Sequence, residues 1–184
     1  MAKHYCDVSI GDPLHGPYHD QEYGFPIEDD NELFARLVLE INQAGLSWAT
    51  ILKKKDNFMS AYDNFDIATV AAYDEDACTR LLADEGIIRN RLKVNAAIHN
   101  ASCILDIQSA EGSFKTWLDR RHPNELDFWV KLFRATFKFT GSEIVREFLV
   151  STGYLPDAHR PDCPVYTKIV ALNPPWMQAQ QQRL

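Results

Sequence analysis

A mainly α-helical fold is predicted by three features of the sequence. From Asn31 onward apolar residues recur at three- and four-residue spacings, strand-like alternation is scarce, and residues that start or stop helices bracket nearly every periodic run. With 184 residues, 46% of them hydrophobic, the chain can bury a full core, and its length favours a single domain over residues 1–184. No stretch approaches the ~18 apolar residues of a membrane span, and Met1 to Asp7 carry no apolar signal-peptide core. The expected setting is therefore cytoplasmic, with no membrane partner and a monomeric protein. The four cysteines, Cys6, Cys78, Cys103 and Cys163, are too few and scattered for a disulfide framework and are expected as thiols.

The first thirty residues are punctuated by Gly11, Pro13, Gly16, Pro17, Gly24 and Pro26, so an irregular segment over about 1–30 is predicted, with no helix surviving. Asp29 and Asp30 can cap the first long helix, whose Leu33, Phe34, Leu37, Val38 and Ile41 form one buried face. A second helix follows from Trp48 to about Tyr62. Further helices are predicted from Asp66 to Tyr73, from the Asp74 cap to about Asp84, and from Arg91 to about Ile107, the last with Leu92, Ala96, Ile98, Ala101, Ile104 and Leu105 inward. Ser113 to Arg121, Glu125 to about Ala135, and a helix introduced by Gly141 and Ser142 and closed by Gly153 complete the set. The polar tail from about 174 to 184, with Gln178 to Gln182, is expected to be loosely held.

The chemistry concentrates in Glu40-Ile41-Asn42-Gln43-Ala44-Gly45-Leu46-Ser47-Trp48. Leu33, Leu37, Glu40 and Ala44 are four, three and four positions apart, so Glu40 lines up with core residues and needs a partner or a purpose. Gly45 suits a helix C-terminus and Ser47 a helix N-cap, which turns Trp48 back beside Glu40. From periodicity alone, a capped helix turn with a packing tryptophan explains the stretch equally well. Likewise, Gly86 to Arg91 reads either as an ordinary helix-helix link or as a hairpin whose backbone N-H groups grip a phosphate. Cys6, His19, His159 and Cys163 lack zinc-finger spacing, so spacing alone favours four unrelated residues.

The stretch from Glu40 to Trp48 closely resembles the signature of the 3-methyladenine DNA glycosylase I family. The resemblance runs from Cys6 to Cys163 through Tyr18-His19-Asp20-Gln21-Glu22-Tyr23-Gly24, Gly86-Ile87-Ile88-Arg89-Asn90-Arg91, Phe137-Lys138-Phe139-Thr140-Gly141 and His159. It implies an all-α, helix-hairpin-helix DNA glycosylase-like fold in which Cys6, His19, His159 and Cys163 bind a structural Zn2+ that joins the N- and C-terminal segments. It also implies a monofunctional hydrolase of DNA repair that removes 3-methyladenine from double-stranded DNA carrying alkylated bases. Glu40 becomes the candidate catalytic residue, acting first as an acceptor that recognises the base, and Tyr18, Tyr23 and Trp48 join it in binding that base. Gly86, Arg89, Arg91 and Lys93 become the DNA-binding candidates. Lys93 alone would allow Schiff-base lyase chemistry, but a lysine near this position also occurs in single-function members.

Several positions depart from the family pattern. Val8 stands where an aromatic is usual, Tyr23 replaces a Trp, Ile41 follows Glu40 in place of a small residue, Leu92 replaces a glycine, and Arg146 stands where a Tyr is usual. Val8 and Ile41 are expected to reshape the pocket, and an inward Arg146 would repel a cationic base. The net charge of -7 also works against phosphate contact, leaving a local patch such as Lys53 to Lys55 or the arginines near Gly86. These features define the competing reading: a noncatalytic or altered-specificity member that binds nucleic acid or a protein partner.

Overall fold

The computed structural model describes residues 4–181, with Gln181 described by its backbone only; expectations for Met1 to Lys3 and for Gln182 to Leu184 fall outside it. Among the described residues there are helices and no strands. They are α1 (Tyr5–Ser9), α2 (His15–Gln21), α3 (Asp30–Gln43), α4 (Trp48–Ala61), α5 (Ile67–Ala71), α6 (Glu75–Ala83), α7 (Arg91–Glu111), α8 (Phe114–Asp119), α9 (Leu126–Thr136), α10 (Ser142–Ser151), α11 (Tyr166–Ala171) and α12 (Pro175–Gln181).

The caps explain why these elements start where they do. Asp29, Ser47, Asp66, Asp74, Asn90 and Ser113 each accept a hydrogen bond from a first-turn N-H of α3, α4, α5, α6, α7 and α8 respectively, satisfying donors that a helix start leaves orphaned. The Asp30 carboxylate does the same at a distance, accepting from Phe114 N, Lys115 N and the Gln108 side chain at 2.7 to 2.9 Å. In this way the first turn of α3 is tied to the end of α7 and the start of α8.

Helix α3 packs against α4, α7, α8 and α10. It is more enclosed than a one-faced helix: every residue from Arg36 to Asn42 is buried, polar ones included. The sequence pattern marked only the apolar stripe, because periodicity cannot report neighbours brought in from α7, α8 and α10.

Three expectations need correction. The N-terminal segment contains α1 and α2 despite its glycines and prolines. In α1, His4 and Asp7 make a reciprocal capping pair; in α2, Pro17 falls within the first turn, where its missing N-H has no intrahelical acceptor to lose. The tail forms α12, and two further elements, α11 and the Cys6–Cys163–Val165–Ile169 cluster, build a small second core under it. Leu92 points outward at 69% exposure, whereas Val94, Ala97 and Ile107 fill the inner face of α7.

Gly24 shows how tightly the two cores meet. Its φ is +81°, its N-H donates to Ser151 O at 2.8 Å, and a Cβ there would lie 2.4 Å from the Ala158 Cβ. Gly24→Ala should therefore cost about 2 to 4 kcal/mol, combining left-handed backbone strain with overpacking. Denaturant unfolding measures this, and a loss below about 0.5 kcal/mol would mean that the 157–159 segment yields freely.

Candidate active site and metal centre

Glu40 lies in the last part of α3 with 5% exposure. Gly45 (φ +81°) reverses the chain, aided by a Leu46 N-H to Gln43 O bond and a Gln43 amide to Leu46 O bond, and Ser47 caps α4 through Thr50 N. This turn brings Trp48 back to the Glu40 side. Both line an open cavity of about 610 Å3 whose walls also include Tyr18, Tyr23, Tyr5, Gln43, His4, Arg146, Glu147 and Asp157.

The walls are aromatic. Trp48 lies 5.1 Å from Tyr18, Tyr18 5.7 Å from Tyr23, and Tyr23 5.1 Å from Tyr5, centroid to centroid. Tyr18 is held from behind by Arg36, whose Nη1 donates to the Tyr18 hydroxyl and to Ser151 O, both at 3.1 Å. Arg36 itself is buried and pairs with Glu22 at 3.5 Å. Burial pushes the Glu40 carboxyl up to about 8, opposed by the Arg36 guanidinium and reinforced by the Glu147 carboxylate. Burial thus keeps the proton on Glu40 in the empty cavity, and a cation placed beside it would favour the carboxylate.

Behind this wall Cys6, His19, His159 and Cys163 converge, all buried, with their ligand atoms within 4.8 Å of one another. The Cys163 Sγ lies 3.5 Å from His159 Nδ1 and 3.7 Å from His19 Nε2, and the Cys6 Sγ lies 3.8 Å from His159 Nδ1. Each imidazole has its other nitrogen engaged: His19 Nδ1 with Asp20 Oδ1 at 2.6 Å, and His159 Nε2 with Tyr23 O at 2.7 Å. Those bonds select the tautomers that leave Nε2 of His19 and Nδ1 of His159 facing the thiols. The cluster joins α1, α2 and the 159–163 segment, so it can hold a metal that ties the two ends of the described chain.

The 86–91 link lies between α6 and α7. Gly86 is needed here for room: its φ is outside the left-handed region, and a Cβ would come within 3.0 Å of Asp84 Oδ1 and the Asn57 side chain. Its N-H is taken by Asp84 Oδ1, and the Leu92 and Lys93 N-H groups by Asn90 Oδ1. Arg89 and Arg91 are about half exposed, each beside an acid, Glu85 at 3.5 Å and Glu75 at 3.1 Å. Lys54 reaches the same link through Glu85 O at 2.6 Å, whereas Lys55 is bound to Glu22.

Lys93 is placed elsewhere than its spacing suggests. It is 5% exposed, and its Nζ donates to Asn42 O and Ala44 O at 2.8 Å each. Those are carbonyls at the C-terminal end of α3, where a cation is favoured. Val8 and Ile41 also lie away from the cavity wall, Val8 at 44% exposure and Ile41 within the main core. Arg146 does line the cavity, with its guanidinium joined to Glu147.

Sequence reasoning missed Tyr5, Arg36 and Glu147. Tyr5 carried a usable signal, since it precedes Cys6 just as Tyr18 precedes His19. Arg36 and Glu147 carried none, because only the approach of α10 and α2 to α3 gives them partners.

The all-helical fold, with a buried carboxyl in an aromatic cavity, is that of the helical DNA glycosylases. The chain belongs to the methyladenine glycosylase family, whose model matches residues 8–127. It is similar to DNA-3-methyladenine glycosylase 1 of Escherichia coli K12, at 36% identity over 171 residues covering 83% of this chain and 91% of that protein. Among solved structures it resembles 3-methyladenine DNA glycosylase I of Staphylococcus aureus (TM-score 0.78, 32% identity, 88% of this chain and 95% of the other). It also resembles a tyrosine-to-phenylalanine variant of 3-methyladenine DNA glycosylase I in complex with 3-methyladenine (TM-score 0.75, 33% identity, 85% and 95%).

The Lys93 contacts generate a prediction. Lys93→Met keeps the buried stem but leaves two carbonyls unsatisfied, which should cost about 2 to 4 kcal/mol. Thermal or chemical unfolding gives the value; stability equal to wild type would show that water replaces the ammonium without loss.

Proposed function

We propose that the chain is a monofunctional DNA glycosylase that hydrolyses the N-glycosidic bond of 3-methyladenine, or a closely related alkylated adenine, flipped out of duplex DNA. The observation that carries this reading is the meeting of Glu40 and Trp48 in one cavity, supported by family membership and by the similarity to a structure solved with 3-methyladenine.

The lesion carries a positive charge, which weakens its bond to the sugar and distinguishes it from adenine. Extrusion from the stack costs a few kcal/mol, less for a damaged base. Inside the cavity Trp48 and Tyr18 offer ring faces to the cation, and Glu40 offers an acceptor at its edge. Each contact is worth ~1 to 2 kcal/mol where water is excluded. When the C-N bond breaks, its electron pair neutralises the departing base, water adds to the sugar carbon, and the water's proton passes to solvent. The protein's contribution is to extract and hold an already activated leaving group. Glu40 is the catalytic candidate in that sense. Lys93, bound to two carbonyls, acts as a positioning residue for the end of α3 and is no Schiff-base nucleophile in this arrangement.

Arg89 and Arg91 are the proposed DNA contacts, together with Lys54, which lies beside them; Gly86, whose N-H is engaged by Asp84, contributes the room that the tight link requires. Because each arginine has an acidic neighbour, phosphate binding involves exchanging one anion for another, and the expected affinity for undamaged DNA is modest. The metal is proposed to be zinc. Tetrahedral Zn2+ with Cys and His bonds of about 2.0 to 2.3 Å puts ligand atoms roughly 3.3 to 3.8 Å apart, close to the separations found. Four protein ligands leave no open position, so bound zinc would supply cohesion to the termini and no water activation. No helix of the described residues is long and apolar enough to cross a membrane. A single-domain, monomeric, cytoplasmic protein completes the proposal.

Two predictions test this reading. Glu40→Gln should lower excision of 3-methyladenine by about 1 to 3 kcal/mol of barrier, and Trp48→Ala by more, with little change in binding undamaged duplex. Because burial raises the Glu40 carboxyl from 4.5 to about 8, its proton-bound form is the one folding favours. That contribution to stability is complete below the ordinary value and is lost as pH rises through about 8. A cationic base reverses the preference, so excision should climb with pH up to about 8, with Arg36, Glu147, Tyr18 and Tyr23 facing the same group. Release of 3-methyladenine from methylated duplex, measured against pH for wild type and Glu40→Gln, checks both; equal rates and profiles would end the pocket assignment.

The second concerns the metal. Elemental analysis should find one zinc per chain, and Cys163→Ser or prolonged chelation should lower the melting temperature and perturb Tyr5, Tyr18 and Tyr23, each adjoining a ligand or bonded to one. Metal-free protein with wild-type stability would overturn it.

A further inference from the structure

The mouth of the cavity carries a second acid that the excision chemistry above does not use. Glu147, on α10, is about one-third exposed and lines the same cavity as the buried Glu40, whose carboxyl its charge helps to raise. One carboxylate oxygen accepts from the Tyr23 hydroxyl at 3.3 Å and the other is joined to the Arg146 guanidinium. An ionised carboxylate can accept about four hydrogen bonds, so these two partners leave acceptor capacity on the cavity side. The pairing also answers what Arg146 does there: with its charge matched by Glu147, it does not present a bare cation to the base.

We propose that Glu147 is a specificity-determining residue, a second base-reading carboxylate that selects cationic nucleobases and whose charge Arg146 balances while the pocket is empty. A neutral base offers Glu147 nothing that Arg146 does not already supply, and the ion pair stays in place. A cationic base competes for the same carboxylate from within, where aromatic walls exclude water and a charge-assisted hydrogen bond is at its strongest. Tyr23, donating to Glu147, turns its ring toward the Tyr5 and Tyr18 edges and so couples the acid to the aromatic wall. Glu40 and Glu147 then read the base from a buried and a more exposed position on one cavity wall, and each raises the other's gain from a nearby positive charge. This inference rests on the glycosylase reading of the cavity.

The test uses free bases on the full chain. Tryptophan fluorescence is titrated with 3,9-dimethyladeninium, a permanent cation, and with neutral 9-methyladenine at fixed ionic strength, for wild type, Glu147→Gln and Arg146→Gln. Glu147→Gln keeps an oxygen for the Tyr23 hydroxyl and removes only the charge. The cation-to-neutral affinity ratio should fall about ten-fold in Glu147→Gln, and should rise in Arg146→Gln because the competing cation is gone. An unchanged ratio in Glu147→Gln, or an equal loss for both ligands, would reduce Glu147 to a wall support and overturn the inference while leaving Glu40 and Trp48 in place. A wild type that shows no preference for the cation would overturn this inference and the glycosylase reading together.

Discussion

The burial of α3 on all sides from Arg36 to Asn42 is the constraint on which the rest of the structure depends. In a helix enclosed by α4, α7, α8 and α10 a polar side chain calls for a partner, and Arg36, Glu40 and Asn42 are all buried there. Arg36 is satisfied by Tyr18, Ser151 and Glu22, and the carbonyls near Asn42 and Ala44 by Lys93. Asn42 donates its amide to Val38 O, and Glu40 lines the aromatic cavity. Its neutral form is the low-cost way to keep it there, and that cost becomes a driving force once a cation arrives.

The aromatic wall is set by the other end of the chain. Tyr5 and Tyr18 immediately precede Cys6 and His19, and the Tyr23 carbonyl holds the His159 ring, so the cluster of two cysteines and two histidines fixes three rings at once. A pocket made from separate short helices would otherwise lose its shape, because α1 and α2 are too brief to be stable alone. The cluster and the cavity therefore share one set of neighbours, and the zinc proposed for the first would stiffen the wall of the second.

Charge is distributed by the same economy. Although the chain is acidic overall, several cations near the cavity and the 86–91 link are matched locally: Arg89 with Glu85, Arg91 with Glu75, Lys55 with Glu22, Arg146 with Glu147. Such pairs at the surface hold weakly. They can be exchanged for a phosphate or a cationic base at small cost, which suits a protein that must sample much undamaged DNA and hold on only to a lesion.

The sequence alone determined the helical class, most helix boundaries from α3 onward, and the turn that carries Trp48 back beside Glu40. Those rest on local physics: 3.6-residue periodicity, side-chain caps such as Asp29, Ser47 and Asn90, and a glycine at φ +81°. The four metal-ligand candidates and the family were legible through motif resemblance, although their spacing by itself was not informative. Tertiary structure decided the remainder. It built α1, α2, α11 and α12 from segments too short to show periodicity, turned Leu92 outward, and took Lys93 away from the surface to bind the end of α3. It also gave Arg36 and Glu147 their partners across 14 to 124 residues of chain, since a side chain's chemistry is set by what packs against it, and that is decided by contacts far apart in sequence.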